Sequence, residues 1–99
     1  MASASIIRRH WSAAVISSKY YLRFMLADKP GAMGLVASAL GRHGVSISAL
    51  SQKDAPQGEG PVPVVVLTHR AKASDLDAAL AEIRAGGVTE EDPVRLRVL

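Results

Sequence analysis

Residues 20–31 read YYLRFMLADKPG, an alternating segment that runs straight into a turn. Tyr20, Leu22, Phe24 and Leu26 share one parity and Tyr21, Arg23 and Met25 the other, which is a β-strand with one strongly apolar face. Asp28-Lys29-Pro30-Gly31 stops that strand. After it Met33, Val36, Ala37 and Leu40 recur at i, i+3, i+4 and i+7, a single apolar stripe on a helix. Arg42 and His43 suit the negative end of that helix, and Gly44 can take the left-handed conformation that closes it.

The same strand-helix unit recurs further on. Residues 45–53 form a second strand, with Val45, Ile47, Ala49 and Ser51 on one face and Ser46, Ser48, Leu50 and Gln52 on the other. Residues 54–61 (DAPQGEGP) make a polar loop between two strands. Residues 62–69 carry Val64, Val65, Val66 and Leu67 in succession, so this strand is apolar on both faces. It is either central or covered by a partner. Pro63 belongs at its start, because proline cannot donate to the ladder. A second helix follows, with Ser74 as cap, Asp75 and Asp77 in the first turn, Arg84 in the last, and Gly86-Gly87 as stop. Leu76, Ala79, Leu80 and Ile83 form its apolar stripe. Val94, Leu96 and Val98 then alternate with Arg95 and Arg97 in a last strand with one charged face.

The order is β-α-β-β-α-β. Each helix has one apolar stripe, so both can pack on the same face of a four-stranded antiparallel sheet. The expected fold is an α+β, ferredoxin-like sandwich.

Composition narrows the function classes. Ninety-nine residues make one domain, and 48% hydrophobic content argues for a folded globule. No cysteine is present, which removes disulfides, thiolate catalysis and cysteine-held metals. A reducing cytoplasmic location is the expectation. No apolar run approaches the ~18 residues that span a bilayer, so no membrane partner is expected. The net charge is +3, and no acidic residue precedes Asp28. Residues 1–18, with Arg8, Arg9 and five serines, superficially resemble a transit peptide. We read them as a flexible tail or linker, and residues 19–99 as the domain. Residues 6–16 could add a short helix or strand.

The strand, the Asp28-Lys29-Pro30-Gly31 turn, the helix and Gly44-Val45-Ser46-Ile47, in this order and spacing, resemble the opening of ACT domains. Ser51-Gln52-Lys53 and residues 62–69 (VPVVVLTH) are similar to the ACT domain at the C-terminus of homoserine dehydrogenases. The resemblance covers about residues 19–99. It implies a regulatory module that binds a free amino acid, threonine as first guess, and pairs side by side with a second copy as a homodimer. It also implies a catalytic dehydrogenase domain as partner. No G-x-G-x-x-G opens a dinucleotide-binding unit, so the chain itself is expected to be neither an enzyme nor a cofactor binder.

The expected ligand site is Asp28, Lys29, Pro30, Gly31, Ala32, Ser46 and Ile47. Helix-start N–H groups around Gly31 and Ala32 can receive a carboxylate, and Asp28 can accept from an ammonium. Gly31 lets a ligand approach the backbone. Ser46 is expected beside this turn, where ACT domains often have Asn. The turn is equally a plain strand-to-helix connection, with Asp28 as cap and Pro30 set for the first helical turn. Gly34 leaves a small surface that another helix or a ligand could approach. His10, His43 and His69 lack metal-ligand spacing, and no serine sits in a nucleophile elbow. Residues 62–67 lack the stacking aromatics of an RNA-binding sheet, so nucleic acid is not expected. Two alternatives remain open: a purely structural dimerisation module, and a stand-alone ACT regulator without ligand binding.

Overall fold

The structure, a computed structural model, describes residues 17–53 and 60–98. Residues 6–16 and most of the 54–61 loop lie outside the described residues. The elements are β1 (Ser17–Leu26), α1 (Ala32–Arg42), β2 (Ile47–Gln52), β3 (Val62–Thr68), β4 (Ala71–Lys72), α2 (Ala73–Ala85) and β5 (Val94–Val98).

β1 organises the sheet. It pairs antiparallel with β3 from Tyr21↔Leu67 to Leu26↔Val62, and with β5 from Lys19↔Val98 to Arg23↔Val94. Tyr21, Leu22 and Arg23 are paired on both edges, so β3 and β5 flank β1. β2 adds to the far side of β3, from Ile47↔Thr68 to Gln52↔Val64. The long strands therefore run β2-β3-β1-β5, the expected ferredoxin-like order. The two-residue β4, which the sequence pattern did not suggest, pairs with Ser17 and Ser18. β1 accordingly starts at Ser17, two residues before the expected domain boundary.

One core lies between the sheet and the helices. Leu22, Phe24 and Leu26 of β1 and Val64 and Val66 of β3 face the helices, and all five are buried. Against them pack Val36, Ala39 and Leu40 of α1 and Leu76, Ala79, Leu80 and Ile83 of α2, also buried. Both stripes read from the sequence thus meet the same sheet face, although Ala37 lies outside and Ala32 replaces it within. The apolar β3 is an interior strand, as its composition suggests.

The end of α1 is closed twice. The Val45 N–H reaches the Leu40 carbonyl at 2.8 Å and the Gly44 N–H that of Gly41 at 3.1 Å, with Gly44 at φ +76°. This is a Schellman motif, and Val45 is buried beneath it. Arg42 and His43 do more than face the helix dipole. Both engage Glu82 of α2, His43 Nε2 lying 3.0 Å from Oε1 and Arg42 holding Oε2. At this partly exposed position the clamp contributes on the order of 1 kcal/mol or less.

Two expectations need correction. Ser74 does not cap α2: Lys72 is the N-cap residue, and Ser74 lies inside the first turn. Asp77 is not a first-turn dipole residue either; it pairs with Arg95. Alternation left open which face of β5 looks toward the helices, and it is the face that carries Arg95. Arg95 sits 5.3 Å from the Tyr20 ring centroid and binds Asp77 of α2, while Val94, Leu96 and Val98 are 43%, 57% and 45% exposed. Burial alone would lower the pKa of Arg95, but Asp77 and Tyr20 outweigh it and the net shift is upward.

Thr68 is the buried polar residue of this core. The β1 register slips by one residue between β3 and β4, so pairing on that edge lapses at Tyr20, which stays paired with Arg97 on the other. The Thr68 hydroxyl fills the gap by accepting from the Tyr20 N–H at 3.0 Å. Thr68→Val keeps the shape but orphans that donor. It is expected to lower stability by about 1–3 kcal/mol in urea unfolding, with Thr68→Ser keeping more of it.

Candidate functional site

The 28–31 turn projects from the end of β1. Its approach is anchored by the Ala27 N–H on the Val88 carbonyl at 2.7 Å, and it folds back through the Lys29 N–H on Ala27 at 2.9 Å. Gly31, at φ +86°, is the N-cap of α1 and offers no side-chain cap; Asp28 is not the cap, and Pro30 precedes the helix rather than opening it. Asp28, Lys29, Pro30 and Gly31 are exposed, whereas Ala32 is buried. The Ala32 N–H already donates to the Lys29 carbonyl at 3.3 Å. Past Ala32, the helix-start donors left over by helix geometry are Met33 and Gly34, two residues further on than the expected Gly31 and Ala32.

A cleft of about 70 Å³ opens beside this turn. Its polar rim is Asp28, Lys29 and Gln52, and its floor includes Leu26, Met33, Val62 and Val64. The volume is well below the ~300 Å³ at which small-molecule pockets begin, so the cleft by itself does not enclose a small molecule.

Ser46 and Ile47 are not in it. β1 and β2 are each antiparallel to β3 and hence parallel to each other. The turn after β1 must then lie beside the end of β2, where Gln52 pairs with Val64, and not beside its start. Ile47 pairs with Thr68, and the Ser46 carbonyl accepts from the His69 N–H at 2.9 Å. Six residues of β3 separate the two places, about 20 Å at ~3.3 Å per residue. Within one chain the structure thus joins Asp28, Lys29 and Ala32 to Gln52 and leaves Ser46 at the opposite end. Sequence reasoning missed Gln52, although the two antiparallel pairings already imply that the end of β2 meets the turn.

A bulge at Ser48 adds to this. The β2–β3 register shifts between Ile47 and Ala49, which moves Leu50 and Gln52 to the helix side of the sheet with Val66 and Val64. Gln52 can face the cleft for that reason. Among the described residues, no group of His, Asp or Glu could hold a metal ion, and no helix is long and apolar enough to cross a membrane.

The turn yields a paired test. A Cβ at Gly31 would meet no atom within 4 Å but would sit at positive φ, and one at Gly34 would meet none in ordinary helical geometry. Gly31→Ala is expected to cost about 1–2 kcal/mol in thermal unfolding. Gly34→Ala should stabilise by up to about 1 kcal/mol.

Comparison with known proteins agrees with this geometry. A family model for the ACT domain matches residues 20–85. Homoserine dehydrogenase of Methylobacillus glycogenes is 39% identical over 83 residues, which are 84% of this chain and 20% of that protein. That of Pseudomonas aeruginosa is 36% identical over 81 residues, 82% of this chain and 19% of that protein. The chain thus spans about a fifth of the length of these relatives. The structure of a homoserine dehydrogenase from Thiobacillus denitrificans superposes with a TM-score of 0.75 at 28% identity, over 88% of this chain and 19% of that one. The ACT domain from GTP pyrophosphokinase of Chlorobium tepidum shares the fold, with a TM-score of 0.64 at 12% identity over 81% of this chain and 99% of that one. Fold, turn and matched residues agree, and the chain belongs to the ACT domain family.

Proposed function

We infer that this domain is a regulatory module that binds a free amino acid between two copies of itself, and that it controls a homoserine dehydrogenase activity without being catalytic. The observation that carries the reading is the position of the cleft. Asp28, Lys29 and Gln52 converge where the turn meets the end of β2, and β2 is an edge strand among the described residues. Antiparallel pairing of two β2 edges about a two-fold near Ala49 and Leu50 sets Ile47 of a second copy opposite Gln52. Ser46 of that copy then approaches the 28–32 turn, which would reunite the expected site residues across the dimer.

The chemistry suits an α-amino acid. Asp28 is an acceptor for the ammonium, and the start of α1 favours the carboxylate through its free N–H groups and dipole. Gln52 and Ser46 can donate to or accept from a polar side chain. Similarity to homoserine dehydrogenases makes threonine the first candidate effector, as the end product of a biosynthetic branch feeding back on an early step. A ligand held at the interface favours one packing of the two copies, which is the minimum requirement for coupling to a linked catalytic domain.

The test is a thermal-shift series with individual amino acids, threonine first. Saturation at 100 times Kd adds about 2.7 kcal/mol of stability, and Asp28→Asn should abolish the shift. If no amino acid moves the melting temperature, effector binding is wrong. The second reading, a purely structural dimerisation module, is favoured by the free β2 edge alone. It predicts concentration-dependent dimerisation with no response to any amino acid.

A further inference from the structure

The cleft beside the 28–31 turn has two unlike parts. Asp28, Lys29 and Gln52 stand at its rim, whereas Leu26, Ala32, Met33, Val62 and Val64 make its interior apolar. An apolar cavity of ~150 Å³ takes up benzene, so space of this kind runs at roughly 25 Å³ per carbon. At about 70 Å³ the cleft therefore holds about three non-hydrogen atoms. That is a short side chain, not a whole amino acid. The ammonium and carboxylate of a bound amino acid stay at the rim.

The interior residues differ in how far they can yield. Leu26 and Val64 are buried in the sheet and cannot withdraw without opening the core. Met33 is partly buried and unbranched, so its side chain can swing aside. Ala32 is fixed. It is the first residue of α1, buried, with its N–H on the Lys29 carbonyl at 3.3 Å, and its Cβ has no rotamer to change. A carbon added at this position has the close-packed core on one side and the cleft on the other, so it goes into the cleft.

We propose that Ala32 sets the length of the side chain that this cleft admits. The proposal rests on the reading of the cleft as an amino-acid site and adds a size limit to it. With alanine at 32, short side chains such as those of serine, threonine and valine fit. Longer ones such as those of leucine and phenylalanine do not. The two further carbons of a valine at 32 would take about 50 Å³ and leave room for roughly one atom. A glycine at 32 would free about 25 Å³ and admit the side chain of leucine.

Calorimetric titration of the full 99-residue chain with alanine, threonine, leucine and phenylalanine tests this. Wild type is expected to bind threonine about tenfold or more tighter than leucine or phenylalanine, since a methylene of misfit is worth roughly 10–200-fold. Ala32→Val should weaken threonine by about tenfold or more and leave alanine little changed. Ala32→Gly should tighten leucine by about tenfold, a gain that a merely damaged fold would not produce. Circular dichroism melts without ligand check that each variant stays folded. Should Ala32→Val fail to fold, Ala32→Gly decides alone, and a variant that still rejects leucine overturns the proposal. Equal losses for alanine and threonine in Ala32→Val overturn it too, as does a wild type that binds phenylalanine as tightly as threonine. Each of these results leaves amino-acid binding itself standing. A wild type that binds none of the four overturns both readings.

Discussion

The double pairing of β1 is the constraint on which the rest of the molecule depends. Tyr21, Leu22 and Arg23 are bonded to β3 on one edge and β5 on the other, while Leu22 and Phe24 are buried under both helices. A strand held on three sides leaves its neighbours little freedom. The helices must lie on the Leu22 side, because only that parity is uniformly apolar. β3 runs antiparallel to it, and its Val64 and Val66 supply the matching half of the core. Where the pairing of β1 with β3 lapses at Tyr20, a buried hydroxyl from Thr68 satisfies the donor left over.

The position of the cleft follows from the same strand. β1 delivers the 28–31 turn to one end of the sheet, and β3 carries the chain back so that β2 ends there too. The cleft is therefore shallow and open at a sheet edge. Its polar side chains come from two different segments, the turn and the end of β2. Such an arrangement leaves the cleft open on the side of the β2 edge.

Polar contacts outside the core hold the layers in register. Glu82 ties the end of α1 to α2 through Arg42 and His43, and Asp77 ties α2 to β5 through Arg95. The second contact has a consequence across the sheet. With Arg95 drawn toward Tyr20 and Asp77, the pleat obliges Val94, Leu96 and Val98 to face the other way. One ion pair on the helix side thus creates the apolar surface on the open side.

Much of this was legible in the residues themselves. Alternation over 20–26, the stripe at Val36 and Leu40, the Gly44 stop and the Leu76–Leu80 stripe are local patterns, and local sterics and hydrogen bonding are enough to enforce them. The family resemblance at residues 28–31 and 44–47 was local in the same sense. What the residues could not settle was orientation over distance. Period-2 alternation says that Val94, Leu96 and Val98 share a face, but only the pairing with β1 and the pull of Asp77 decide which way that face looks. Likewise Ser46 and Gln52 are equally polar ends of one strand. Which of them meets the turn depends on two strand pairings between residues far apart in the chain, and on the bulge at Ser48 that resets the side-chain parity of β2.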